Sequence, residues 1–349
     1  MARSIGTRGR NFLEGTDRSD RIYGDGTSLT SRTAGGDQLH GYGGADFLYG
    51  DNDDDTLYGD AYSMAGSAAG GSDVLSGDNG RDVLYGDARS LKNSAIGGHD
   101  LLKGGSSNDS LYGDGYQLHH SSVGGSDTLY GGTSNDELYG DAHTLFDSAR
   151  GGADLIYGES GTNVLYGDAS TMYGASVGGN DRLYGSSSND KLYGDALTLG
   201  DQSAGGHDYL SGGSGNDTIY GDARTTGPQA VYGNDTLLGG AGNDKLIGDS
   251  AYGGTGLDYL NGGSGHDTLD GGGGRDIFAF DHASGKDVVQ YFQPGEDQID
   301  LRAWRIASFD DIEIAQRTGY SVIYLAGSDH RIKLENVLKA NLSAADFIL

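Results

Sequence analysis

The chain has 349 residues, of which 66 are Gly, 2 are Pro and none is Cys, and its 51 acidic against 23 basic residues give a formal charge of −28. Gly at nearly one residue in five excludes helical bundles, too little Pro excludes collagen, and the missing Cys excludes a disulfide scaffold. A polyanion with a pI near 4.3 argues against nucleic acid as a partner.

No run of 18 apolar residues offers a membrane-spanning helix, and Met1 to Glu14 contain no apolar core of a secretory signal peptide. Low hydrophobicity with high charge would suit a disordered chain. Against that, the acidic residues are 45 Asp and only 6 Glu, and the apolar residues keep a fixed register.

In chain order, the first regular feature is the degenerate nonapeptide from Gly6 to Glu14, with Asn11 and Asp20 nine residues apart. Asp37, Asp46 and Asp55 follow at the same spacing. Repeats are thus expected from residue 6, leaving no N-terminal stretch for a catalytic domain, and Met1 beside the first repeat speaks against a fragment.

From residue 55 the period becomes 27. A Gly-Asp dipeptide places Asp at 60, 87, 114, 141, 168, 195, 222 and 249. A second Asp series runs 73, 100, 127, 154, 181, 208 and 235, and a third runs 55, 82, 109, 136, Asn163, 190, 217 and 244. Large apolar residues keep step: Leu57 to Leu246 in one ladder, Leu75 to Leu237 in a second, and Met64 to Leu199, ending at Thr226, in a third. Within each unit lies a nonapeptide of the form G-G-x-G-x-D-x-U-x, with U large and apolar, as in Gly239 to Ile247. Asp258, Asp267 and Asp276 return to plain nonapeptides.

One such unit cannot bury its Leu alone, whereas units stacked about 4.8 Å apart as parallel strands make each Leu series a continuous core. The fold class expected is all-β: a right-handed parallel β-roll or β-solenoid with coils of about 27 residues. The third apolar series favours three faces per coil. The alternative is a two-faced roll in which the stretch from Gly-Asp to Gly-Gly bulges out as a loop.

Stacking also sets Asp on Asp. Each adjacent pair repels by roughly 1 kcal/mol in water and about 3 kcal/mol at an effective dielectric of 20, against a typical total stability of about 5–15 kcal/mol. The stack needs counter-charge. Short carboxylates in oxygen-rich Gly turns suit Ca²⁺, which accepts six to eight oxygens in flexible geometry; Mg²⁺ demands a small octahedron and zinc prefers Cys or His. On the order of a dozen Ca²⁺ would neutralise residues 15–276. The candidate ligands are Asp46, Asp55, Asp73, Asp82, Asp100, Asp109, Asp127, Asp136, Asp154, Asp181, Asp190, Asp208, Asp217, Asp235, Asp244, Asp258, Asp267 and Asp276, with the Gly-Asp series Asp60, Asp87, Asp114, Asp141, Asp168, Asp195, Asp222 and Asp249.

These nonapeptides resemble the RTX (hemolysin-type) calcium-binding repeat over roughly residues 6 to 276, although the 27-residue unit departs from the usual 18. The resemblance implies that turn Asp side chains and backbone carbonyls of adjacent coils sandwich each ion. Asp276 to Phe280, Gly285 to Val289 and Pro294 to Leu301 resemble the C-terminal segment of serralysin-type proteins, and Asp346-Phe347-Ile348-Leu349 resembles the tail read by type I secretion systems. The expected division is 1–276, a calcium-binding roll, and 277–349, a cap and secretion signal with strands at Ser321 to Leu325 and Arg331 to Leu334. The resemblance further implies a partner in the type I secretion apparatus, release to the exterior of a Gram-negative bacterium, and folding on calcium outside the cell.

No enzymatic activity is expected: H-E-x-x-H does not occur, and the one G-x-S-x-G match, Gly174-Ala175-Ser176-Val177-Gly178, lies inside a repeat rather than at a strand-to-helix nucleophile elbow. His99, His207 and His266 precede ladder Asp residues and read as exposed turn residues, and His119-His120 as solvated loop. Tyr58 to Tyr220 recur at 27 directly after the core Leu and are expected on an outer face, with Tyr130, Tyr157 and Tyr184 on another side. The function expected is a secreted calcium-binding structural protein of a matrix, surface layer or biofilm. The alternatives are a membrane-active or host-directed protein, and a glycan-binding module or fragment of a secreted enzyme. Self-assembly and extracellular glycans are the possible further partners.

Overall fold

The computed structural model describes residues 3–5, 12–16, 18, 20–23, 36–250, 254–325 and 329–349. The expected repeat start at Gly6 and the residue Asn11 lie outside the described residues.

The chain is a parallel β-solenoid. Two long sheets run its length, of 14 and 15 strands among the described residues. The first is built from strands such as Leu101–Ser106, Thr128–Thr133 and Leu155–Glu159. The second is built from three-residue strands such as Ser110–Tyr112, Glu137–Tyr139 and Val164–Tyr166. Leu102 pairs with Leu129, and Leu129 with Ile156, one coil apart. Alternation along each strand turns Leu102 and Leu111 inward, fully buried in one core with their equivalents in every coil. Each such Leu contributes about 1.5–3 kcal/mol by leaving water.

The turn from first to second sheet needs Gly where the backbone is left-handed: Gly105, Gly132, Gly213 and Gly240 all have φ between 100° and 111°. Asp78 and Glu159 occupy the same turn at φ 69° and 61°.

The nine residues that lengthen each coil from 18 to 27 form a third parallel sheet of seven strands, from Ser63–Met64 to Ala223–Thr226. It stops at Thr226, where the apolar ladder stops. Beyond it the steps shorten: Leu237 pairs with Leu260, and Leu260 with a Phe278 only 18 residues on. The expected third face is therefore present, but it does not close one prism around the first core. Met64, Leu91, Leu118, Leu145, Met172 and Leu199 pack with Ala88, Ala142, Ala169 and Ala196 into a second, separate core. Each 27-residue coil is a two-sheet roll with a lobe. The chain leaves the roll through Gly113-Asp114, winds the lobe, and returns through Gly124-Gly125-Ser126-Asp127. We call these paired crossings the neck.

The Tyr ladder is corrected by the same geometry. Tyr58, Tyr85, Tyr112, Tyr139, Tyr166 and Tyr193 do point away from the roll core, yet they are 3–8% exposed. The lobe folds back over them, and Tyr116 meets Tyr112 edge-on at 5.7 Å. Their rings stack at 4.7–5.0 Å with planes within 11°, in keeping with the spacing of hydrogen-bonded parallel strands. Tyr130, Tyr157 and Tyr184 stack at 5.0 and 5.1 Å and are half-exposed on the first sheet, as expected.

At the C-terminal end, Ile277–Ala279, Lys286–Gln290 and Gln298–Asp300 continue the stack. Glu313–Arg317, Tyr320–Tyr324 and Arg331–Glu335 form an antiparallel extension of the second sheet. Ile314, Ile323, Ile332 and Leu334 cover the end of the roll core. The strand Phe347–Ile348 pairs with Gln298–Asp300 and ends the first sheet.

Candidate metal centre

Every candidate Asp from the 73 and 55 series sits just before a core strand, where the Gly turn delivers it to the inside of a bend. The side chain then reaches the neighbouring coil. Asp127 Oδ1 accepts the Asp100 N–H at 2.7 Å, and Asp154 Oδ1 accepts the Asp127 N–H at 2.7 Å. The plain turn on the other edge of the roll repeats this: Asp109 N–H donates to Asp136 Oδ1 at 2.8 Å, and Asp190 N–H to Asp217 Oδ1 at 2.8 Å. Asn163 keeps the register without the charge, accepting from the Asp136 N–H at 2.9 Å and donating to Asp190 Oδ1 at 2.7 Å.

The Gly-Asp series does something different. Asp114 Oδ1 accepts the Gly125 N–H at 2.8 Å, and Asp141, Asp168 and Asp195 accept from Gly152, Gly179 and Gly206 at 2.6–2.7 Å. Each carboxylate thus ties the outgoing crossing of the neck to the returning one.

One oxygen per residue is used this way and the other is left. Asp73, Asp100, Asp127, Asp154, Asp181, Asp208, Asp235, Asp258 and Asp276 each keep a buried Oδ2 with no hydrogen-bond partner. So do Asp46, Asp82, Asp109, Asp136, Asp217, Asp244 and Asp267, and Asp114, Asp141, Asp168, Asp195 and Asp222. In Asp60 and Asp249 the orphan is Oδ1. Asp87 gives both oxygens to the Gly98 N–H, and Asp190 Oδ2 takes the Ser186 hydroxyl at 2.8 Å. A buried acceptor without a donor is costly, and here the cost recurs in every coil.

The orphans aim at other oxygens. A Cβ on Gly113 would overlap both the free oxygen of Asp127 and the Gly140 carbonyl of the next coil; Gly86, Gly140 and Gly167 show the same convergence. On the plain turn, Gly104 has Asp109 Oδ2 and the Gly131 carbonyl about its empty Cβ position. Carboxylate and carbonyl oxygens from two coils, gathered in a cradle only Gly leaves open, fit a hard divalent cation. Among the described residues no three His, Asp or Glu side chains converge as a self-contained cage, so carbonyls must complete each ligand set.

Electrostatics give the same reading. Burial, and then neighbouring carboxylates, push Asp73 and Asp109 up to about 8, and Asp82 and Asp244 to about 7. Burial and the carboxylates on either side raise Asp87, Asp127, Asp141 and Asp195 well above the usual range. Without a cation the folded chain favours protons in these positions.

Two ladder members were missed in the sequence. Asp287 Oδ1 accepts the Asp267 N–H at 3.0 Å, and Asp297 Oδ1 the Asp276 N–H at 3.1 Å. The nonapeptide spacing fails there, but the D-x-U signature survives in Asp287-Val288-Val289 and Asp297-Gln298-Ile299. The residue before each ladder Asp also has a job. Asn108, Asn180 and Asn216 accept the N–H of the equivalent residue in the next coil, and His99, His207 and His266 do so through Nδ1 at 2.8–3.1 Å. These histidines are exposed, as expected. His119 is half-buried and stacks on Phe146 at 4.6 Å, so it is not plain solvated loop.

Comparison with known proteins agrees. Residues 5–27, 32–61 and 67–88 match the RTX calcium-binding nonapeptide repeat, and residues 102–322, well over half the chain, match the family described as Peptidase M10 serralysin C terminal. No curated protein matches the chain. Among solved structures, the AlgE6R3 subunit of the Azotobacter vinelandii mannuronan C5-epimerase is 24% identical, over 46% of this chain and 78% of its own, with a TM-score of 0.24. Extracellular lipase LipA from Serratia marcescens is 15% identical over 74% of this chain, which spans 45% of the lipase, with a TM-score of 0.25. RTX nonapeptides bind Ca²⁺ in multiple copies, and proteins that join them to the serralysin C-terminal domain are secreted by Gram-negative bacteria. Both matched regions are non-catalytic. The chain belongs to the calcium-binding RTX repeat proteins of the serralysin C-terminal family.

Proposed function

We propose that the chain is a secreted structural protein that folds when calcium fills its Asp ladders, and that it serves in a matrix, surface layer or biofilm. The observation that carries this reading is the row of orphaned carboxylate oxygens, repeated in every coil and facing carbonyls of the next. Bound calcium would supply positive charge, and the chain supplies the carboxylate and carbonyl oxygens that would coordinate it, in rigid cradles at a fixed pitch. The ligands are the Asp residues named above from the sequence, extended by Asp287 and Asp297. We assign the calcium-binding roll to residues up to 276 and the cap and secretion signal to 277–349, with the parallel stack and its Asp ladders running on through Gln298–Asp300 at the start of the cap.

Secretion through a type I apparatus follows from the same charges. In low-calcium cytosol the ladders repel and the chain stays open enough to thread a channel. Phe347 is 7% exposed and Asp346 1% exposed in the folded state, so the first half of such a tail is covered once the chain has folded. A self-assembling matrix role predicts ordered multimers in millimolar calcium, seen by electron microscopy. A compact monomer at every protein concentration would remove that role.

A second reading has its own observation. The first sheet's outer surface carries a groove of about 690 Å³ lined by Tyr130, Lys103 and Glu159 among others, and Tyr130, Tyr157 and Tyr184 present stacked rings there. Flat rings beside charged groups suit glycan. Binding on a glycan array, lost in Tyr130→Ala, would favour this reading.

A further inference from the structure

The two edges of the roll are not equivalent, and the difference lies in charge per coil. The plain turn carries one carboxylate per coil, and at Asn163 it carries none while every hydrogen bond of the ladder is kept. A side-chain oxygen is enough there. The neck carries two: one from the Gly-Asp series and one from the returning crossing, as in Asp114 with Asp127 and Asp141 with Asp154. No coil from Asp60 to Asp249 lacks either.

Neck carboxylates also converge along the axis. A Cβ on Gly97 would meet Asp87 Oδ2 and Asp114 Oδ1 together, one on Gly124 would meet Asp114 Oδ2 and Asp141 Oδ1, and one on Gly151 would meet Asp141 Oδ2 and Asp168 Oδ1. Ionised carboxylates are acceptors only, so two of them brought together need a proton, a cation or another bridging donor between them. Asp141, Asp168 and Asp195 are 0% exposed, and each keeps an unpartnered Oδ2. A Cβ on Gly178 would overlap Oδ2 of Asp168 and Oδ1 of Asp195 together. The neck lies between two apolar cores, which screen its charges far less than solvent does.

We propose that the neck is a second calcium column, with one ion per coil held by two carboxylates, that it fills at lower calcium than the plain turn, and that its filling fastens the lobe to the roll. The Gly-Asp series is the ligand that the nine extra residues add. Two carboxylates match one divalent charge in each coil, so the column can extend without accumulating net charge. The inference rests on the calcium reading above and adds which column binds first.

The test compares Asp114→Asn/Asp141→Asn/Asp168→Asn with Asp109→Asn/Asp136→Asn/Asp217→Asn. Asn keeps the oxygen that accepts the backbone N–H in both. Calcium is counted by equilibrium dialysis, and folding is followed by far-UV circular dichroism with near-UV ellipticity reporting the Tyr stack. The wild type is expected to show two classes of site. The neck triple should lose ions from the tight class and raise the calcium midpoint tenfold or more, whereas the plain-turn triple should lose only weak ions. In EDTA the neck triple should be more folded than the wild type, because buried charge has been removed; a merely structural Asp would move the signal the other way. A neck triple that matches the wild type in ion count and midpoint, while the plain-turn triple loses tight ions, overturns the column and leaves the calcium reading standing. A wild type that binds no calcium overturns both.

Discussion

Restoring the missing charge at Asn163 is the sharpest single-residue perturbation of the ladders. In Asn163→Asp the new carboxylate would keep the Oδ1 that accepts from Asp136, but would exchange the Nδ2 that donates to the Gly161 carbonyl at 3.4 Å for an acceptor. Its neighbours are Asp136 and Asp190, one coil away on either side, at a pitch marked by ring spacings of 4.7–5.2 Å. At that distance each neighbour repels it by about 3 kcal/mol at an effective dielectric of 20. Two neighbours make a loss of several kcal/mol, on the scale of a whole domain's stability. Calcium reverses the sign once the added site contributes more than that loss: a hundredfold excess over its Kd gives only about 2.7 kcal/mol and a thousandfold about 4.1 kcal/mol, so the reversal requires tight binding, with calcium more than about ten-thousandfold above Kd. Urea unfolding at pH 8 across a calcium series should therefore give crossing curves. Asn163→Asp is weaker than the wild type at low calcium and stronger at saturation, with one more ion bound by dialysis. Curves that superimpose at every calcium concentration would refute the reasoning.

Further outcomes follow from the same geometry. A carboxyl whose folded pKa exceeds its unfolded value adds stability that is complete below the unfolded value and is lost as pH rises through the folded one. With Asp136 and Asp217 pushed to about 6, and Asp82 and Asp244 to about 7, the chain in EDTA should gain β-structure as pH falls from 8 to 5. A coil spectrum unchanged over that range would contradict it. Calcium affinity should fall over the same window as protons compete, measured with a calcium electrode. Leu138→Ala, in the fully buried roll core, should cost about 2–5 kcal/mol and raise the calcium midpoint; an unchanged thermal midpoint in calcium would count against continuous packing. Phe347→Asp should destabilise the folded cap by about 3 kcal/mol or more, read by hydrogen exchange at Gln298–Asp300, and equal exchange in both proteins would detach the tail from the first sheet.

Much of this fold was legible because periodicity encodes the axis of a solenoid. Leu84, Leu111 and Leu138 recur at 27, so their pairing and burial followed directly. What periodicity does not encode is the cross-section. Leu118 and Leu145 announced a third strand, but nothing in their spacing showed that they would pack on Ala142 and Ala169 rather than on Leu111. The Tyr ladder was misread for the same reason. Alternation sends Tyr112 away from the roll core, and only the returning lobe, with Tyr116 on its near side, buries it. The ladder Asp residues were found by their spacing, and Asp287 and Asp297 were missed where spacing drifted to 20 and 21. Their D-x-U pattern was the remaining signal.

The central claim is that calcium closes this stack. Sedimentation velocity in EDTA and then in millimolar calcium tests it most directly. A slow, expanded species that becomes compact, or compact and assembled, when calcium is added is the predicted result. A sedimentation coefficient that does not change between the two conditions would contradict it.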